Sequence, residues 1–159
     1  MNAPSVRLAP LLRRLARDEA GSAAVELGVL APILILLCLG LIEVGRYASF
    51  AVMTVNAARA GVQYGAQNLV TAIDHTGMQQ AALNDGQNIG GLSAQASHFC
   101  QCSDGSASAC LGTDCPAPLH RIVWVQVKTS GAYSSLLSFP GIPASIAVGG
   151  SAIMRSQQQ

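Results

Sequence analysis

The chain has 159 residues, of which 50% are apolar and only 11% are charged. Its formal net charge is +1, and beyond the N-terminus the basic residues are isolated, which argues against nucleic acid as a partner. About 110 residues follow the apolar N-terminal segment, enough for one small domain and not for two.

Basic residues are concentrated at the N-terminus, before a long apolar run. By the positive-inside rule this end stays in the cytoplasm and the chain after Arg46 lies outside, which predicts a single-pass protein with a periplasmic C-terminal domain. We interpret residues 1–21 as a cytoplasmic basic leader, containing Arg7, Arg13, Arg14 and Arg17.

The apolar run itself, Leu27 to Ile42, has no polar side chain except the thiol of Cys38. The run is short for a span, but extension back to Ser22 gives roughly 31 Å at about 1.5 Å per residue, near the bilayer core thickness of about 30 Å. The segment then places Glu26 inside the membrane margin, where an ionised carboxylate is costly and usually functional. We therefore predict residues 22–45 as the transmembrane part of a long helix.

Two simpler interpretations of this segment stay open. A secretory signal peptide predicts a small-x-small cleavage site after the run, whereas Glu43-Val44-Gly45-Arg46-Tyr47 follows and offers none. An uncleaved anchor would keep Glu26 at the level of the lipid headgroups. Glu43 is expected to pair with Arg46 one turn later, beside Tyr47 as an interfacial aromatic residue.

The segment from Arg17 to Leu27 (RDEAGSAAVEL), the apolar run, residues 43–46 (EVGR) and the Ala-rich residues 56–64 together resemble the TadE-like pseudopilins of tight-adherence (Flp-type, type IV) pilus systems. The resemblance covers residues 14 to 70 well and the ending Ala152 to Arg155 weakly. It implies a pilin-like fold and a minor pilin or pseudopilin taking part in pilus assembly and cell adhesion.

The resemblance also assigns roles to three residues. A membrane prepilin peptidase would cut after Gly21, which makes Ser22 the new N-terminus, and Glu26 would pair with the freed α-amine of a neighbouring subunit. A buried carboxylate beside a buried ammonium is far less costly than either alone. The implied partners are the prepilin peptidase, other pilin-like subunits and the inner-membrane assembly platform.

Beyond the membrane, the absence of proline and the frequent alanine predict that the helix continues through residues 46–70. Its small residues Ala57, Gly61 and Gly65 form a ridge for close backbone approach, either to sibling helices or to the chain's own sheet.

Residues 71–159 are predicted to form a small α+β outer domain. A second short helix, capped by Asp74 or Thr76, covers residues 77–82 or extends to Asn88, before Gly90 and Gly91 end it. A three-stranded antiparallel sheet is formed by residues 92–102, 121–129 and 145–154.

Four cysteines occur in the polar loop 100–115: Cys100, Cys102, Cys110 and Cys115. A bond between Cys100 and Cys102 would close a strained ring, so two pairings remain, 100–110 with 102–115 or 100–115 with 102–110. A four-thiolate zinc site is the competing interpretation, but the spacing lacks paired knuckles and an oxidising compartment opposes it.

The sequence contains no recognisable catalytic constellation, since His75, His98 and His120 are separated and lack acidic partners at useful spacing. We expect neither enzymatic activity, nor a cofactor or metal, nor a small-molecule substrate. The alternative function is an uncleaved, membrane-anchored periplasmic binding or scaffold protein whose cysteine loop recognises a partner.

Overall fold

The computed structural model describes residues 19–136 and 143–157, so the predicted leader lies outside the described residues except at its end. The chain divides into two compact units, Met1–Ile42 and Glu43–Gln159. The described elements are helices α1 (Glu19–Gly65), α2 (Leu69–Ile73) and α3 (His75–Asp85), followed by strands β1 (Ser93–Cys102), β2 (Ala107–Ser108), β3 (Arg121–Ser134) and β4 (Ser145–Arg155). The α+β class predicted from the sequence is confirmed.

Helix α1 has 47 residues and continues through Pro32. It ends at Gly65, so the prediction that this helix continues to residue 70 is wrong at its C-terminal end. Within the described residues it is the one helix long and apolar enough to cross a membrane, with a mean hydropathy of 2.6 in its most apolar window. The side chains of its first half are exposed, for example Leu34 and Leu41, which are 53% and 73% accessible. So large an apolar surface requires lipid or another protein to cover it.

Two short helices follow α1, of which only the second was predicted. The side chain of Asn68 accepts hydrogen bonds from Val70 and Thr71 and caps α2 in a capping box. Asp74 caps α3 by accepting from the backbone N–H of Gly77 at 2.9 Å, so Asp74 and not Thr76 is the cap. Helix α3 begins two residues before the predicted residue 77 and ends at Asp85, between the two predicted ends Ala82 and Asn88.

The sheet is antiparallel, with strand order β2-β1-β3-β4. The prediction of three strands is therefore wrong, because the two-residue strand β2 pairs with Cys100 and Gln101 of β1 at the sheet edge. So short a strand has no alternation of apolar and polar residues from which it could be recognised. Strand β3 extends beyond the predicted Thr129 to Ser134 and pairs with β4 along that length.

The core of the second unit lies between the sheet and the helices. Val123, Val125 and Val127 alternate toward this core, as the sequence pattern predicted. They meet the part of α1 that is rich in small residues, together with Met78 and Ala82 of α3.

The small-residue ridge of α1 packs against the chain's own domain. A Cβ added to Gly61 would lie 2.8 Å from the backbone oxygen of Met78 and 3.0 Å from a methyl group of Val127. A Cβ at Gly65 would overlap the sulfur of Met78. Of the two possibilities for this ridge, the structure has the packing against its own sheet and α3.

Candidate processing and assembly site

Gly21 and Ser22 lie in the first turn of α1, which begins at Glu19. The first backbone N–H groups of a helix have no partner within the helix, and glycine lowers helix stability by about 1 kcal/mol relative to alanine. No atom lies within 4 Å of the position that a Cβ of Gly21 would occupy. Among the described residues, the side of the helix at Gly21 is therefore open.

Glu26 lies one turn beyond Ser22 and is exposed. Within residues 19–136 and 143–157, no hydrogen bond or ion pair involves its carboxylate. The side chains that follow in α1 are apolar, and Val25 and Leu27 are 67% and 65% exposed. An ionised acid in such surroundings is costly when lipid replaces water, unless an opposite charge accompanies it.

The second carboxylate of α1, Glu43, is held by several groups of its own chain. Arg46 Nη1 lies 3.2 Å from Glu43 Oε2, which is the pair predicted from the sequence. On the other carboxylate oxygen, Oε1, Tyr133 donates its hydroxyl at 2.7 Å and the backbone N–H of Leu136 donates at 3.2 Å. The contact with β3 was not predicted, because 90 residues separate Tyr133 from Glu43.

The cysteine loop contains two disulfides, Cys100–Cys110 and Cys102–Cys115, one of the two pairings that the sequence left open. With all four sulfurs bonded, these residues cannot form the alternative zinc site. Arg121 at the start of β3 donates to the carbonyl of Cys110 at 2.8 Å and connects the loop to the sheet. Cys38 is a free thiol, exposed on the apolar part of α1.

Two of the histidines, His75 and His98, lie side by side, which no pattern in the sequence predicted. Nε2 of His75 lies 2.8 Å from Nδ1 of His98, a distance at which one ring nitrogen donates a hydrogen bond to the other. His98 borders a cavity of about 170 Å³, also lined by Leu69, Ile73 and Arg121. Burial, and then the proximity of His75, lower the pKa of His98.

In the part of the chain that the structure describes, no cluster of three or more His, Cys, Asp or Glu side chains could hold a metal ion. Among the described residues, the paired histidines have no third ligand of this kind beside them.

Comparison with known proteins agrees with the N-terminal segment. The family model described as TadE-like protein matches residues 21–63. This match begins at Gly21 and ends two residues before the end of α1, so it covers the candidate processing and assembly residues and none of the outer domain. The TadE-like resemblance is thereby confirmed for the helix. No curated protein and no solved structure matches the chain.

Proposed function

We propose that this protein is a non-enzymatic minor pilin or pseudopilin that takes part in assembling a Tad (Flp-type, type IV) pilus. The observation that carries the proposal is the TadE-like match, which starts at the glycine of the candidate cleavage site. Its location would be the bacterial inner membrane, with the leader in the cytoplasm and residues after 46 in the periplasm. Its partners would be a prepilin peptidase, other pilin-like subunits and the assembly platform.

Processing is supported by the local structure of the candidate site. A peptidase must draw the scissile backbone out of the helix, and the first turn is the least costly place to do so. Cleavage after Gly21 would remove the basic leader and leave an α-ammonium on Ser22, one turn from Glu26. The mature chain would then carry a positive group and a negative group close together at the start of an apolar helix.

Assembly would use the charges at this end. The carboxylate of Glu26 would meet the α-ammonium of a neighbouring subunit, and each would reduce the cost of holding the other in lipid. Such pairing also selects the axial register of adjacent helices, because any other register leaves both charges unpaired.

The outer part of α1 limits how sibling subunits could approach. Its ridge of small residues is covered by its own domain, and Ala57 is fully buried. Val52 and Met53 remain 59% and 42% exposed on the same part of the helix. Contacts between neighbouring helices outside the bilayer would therefore use this face rather than the ridge.

The variant Glu26→Leu tests the assembly role. Leucine suits the membrane but offers no partner for an incoming α-ammonium, so we expect processed subunit in sheared surface filaments to fall at least about tenfold. The measurement is the amount of subunit in filaments divided by the amount of processed subunit in membranes.

The matched control is Glu19→Leu, the same substitution in the segment that processing would remove. Its mature product is identical to the wild type, so incorporation should be unchanged. Normal incorporation of the Glu26→Leu protein would refute the pairing role.

A further inference from the structure

The end of β3 is bonded to α1 at the residue that directly follows the apolar run. Tyr133 donates its hydroxyl to Glu43 Oε1 at 2.7 Å and also lies 3.3 Å from the backbone carbonyl of Glu43. The backbone N–H of Leu136 donates to the same carboxylate oxygen at 3.2 Å. The side chain of Glu43 is only 19% exposed as a result.

Ring contacts hold Tyr133 in this position from three further directions. Its ring packs edge-on against Tyr47 and against Phe50, each at 5.5 Å between centroids. The guanidinium of Arg46 lies 5.7 Å from the ring centroid. Residues 133–136 are thus fixed to residues 43–50. The depth of one segment in a membrane would therefore set the depth of the other segment.

The surface of this junction is apolar and aromatic. Leu136 is 68% exposed and Tyr47 is 43% exposed. Because Arg46 neutralises Glu43, the junction carries no net charge. The sequence also has no charged residue between Lys128 and Arg155. This combination is typical of protein surfaces at the membrane interface, where tyrosine lies among the headgroups and leucine reaches the acyl chains.

We propose that the junction surface, formed by Arg46, Tyr47 and Leu136 around the buried Tyr133, is a second membrane contact of this protein. Leu136 enters the outer-leaflet interface, while Tyr47 and Arg46 lie at headgroup level. The occupant is the lipid surface itself, because Glu43 is adjacent in sequence to the apolar run that ends at Ile42. Since the junction is neutral, zwitterionic lipid suffices. The inference rests on the proposed membrane insertion of α1, and not on processing or pilus assembly.

The contact would orient the outer domain on the membrane. Strand β3 has 14 residues, which corresponds to roughly 45 Å at about 3.3 Å per residue. Tyr133 lies near one end of this strand, and Arg121 at the other end holds the disulfide loop through Cys110. With Leu136 in the interface, the disulfide loop is the part of the domain that faces away from the lipid.

A tryptophan scan of the full chain in phosphatidylcholine vesicles tests this proposal. The single native tryptophan is removed by Trp124→Phe, and Leu136→Trp is then introduced as the reporter. We expect a blue-shifted emission from residue 136 and at least twofold quenching by lipids brominated near the headgroup. Mass spectrometry of the intact disulfides verifies that each variant has folded.

Two further reporters in the same background separate the possible outcomes. Leu111→Trp, at a 62% exposed position of the disulfide loop, should show the emission of water-exposed indole and no quenching. Leu34→Trp, in the apolar run, should be quenched by deeply brominated lipids. Quenching at residue 34 without quenching at residue 136 overturns the second contact and leaves the anchor intact. Quenching at neither position overturns both.

Discussion

At the level of single residues, polar side chains connect elements that are distant in the sequence. Asp74 caps α3 and also accepts a 2.8 Å hydrogen bond from the hydroxyl of Tyr64 in α1. The N–H of Gly77, and then the Tyr64 hydroxyl, lower the pKa of Asp74, while the bond to Asp74 raises the pKa of Tyr64. Thr129 donates its hydroxyl to the Thr54 carbonyl at 2.7 Å and connects β3 to α1 in the same way.

The His75–His98 pair predicts a pH dependence of stability. The folded pKa of His98 is lowered, so the unfolded chain binds its proton more strongly, and stability is lost as pH falls below the unfolded value of about 6.5. A proton on His98 would also face His75 and the cation Arg121, which lines the same cavity. We expect the melting temperature to fall by roughly a few degrees between pH 7.5 and pH 5.5.

Thermal unfolding of two variants checks this assignment. His98→Gln keeps a polar group beside His75 but does not titrate, so the fall in melting temperature between these pH values should shrink. His120→Gln makes the same change at an exposed position directly before β3 and should retain the wild-type fall. If the melting temperature of His98→Gln falls as much as that of the wild type, the His75–His98 pair is not the cause of the pH dependence.

At the level of elements, the edge of the sheet depends on covalent bonds as well as on the core, against which Cys100 and Cys110 pack. Strand β2 has two residues and lies inside the loop closed by Cys100–Cys110. The loop is polar, and its residue Leu111 is exposed. Its order therefore comes from the disulfides, from Arg121 and from hydrogen bonds of Asp114 to Ser108 and to the backbone of Leu111.

Removing one disulfide measures this contribution. The double variant Cys100→Ala and Cys110→Ala removes a disulfide between cysteines that are 10 residues apart in the sequence. This loss should lower the free energy of unfolding by about 2–4 kcal/mol. The control is Cys38→Ala, which removes an unbonded thiol and should change the outer domain little. Denaturant unfolding in detergent, followed by Trp124 fluorescence, gives both values. Equal stability of the two variants would contradict a structural role for this bond.

At the level of the whole molecule, the sequence predicts those helices and strands whose residues follow a periodic, local pattern. The long helix, the second short helix and the three longer strands were predicted, because each has a composition or alternation that extends over several residues. Helix α2 and strand β2 were not predicted, since five and two residues are too few to show a period. The Ala57–Gly65 ridge indicated close packing but could not indicate which backbone approaches.

The candidate sites show the same difference between local sequence patterns and contacts that depend on the tertiary fold. Gly21, Ser22 and Glu26 are recognisable because they form one short pattern beside an apolar run. The partners of Glu43 in β3 and the His75–His98 pair depend on the tertiary fold, and no local pattern encodes them. The pairing of the four cysteines was narrowed to two by geometry, and only the three-dimensional structure distinguishes between them.

The central claim is that the protein works as a processed pilin-like subunit rather than as an uncleaved membrane-anchored scaffold. N-terminal mass spectrometry of the protein recovered from its own cells tests this claim most directly, with cells lacking the prepilin peptidase as the control. We predict that the recovered chain begins at Ser22 and that residues 1–21 are retained only in the control cells. A chain that still carries its first 21 residues in wild-type cells would contradict the proposed function.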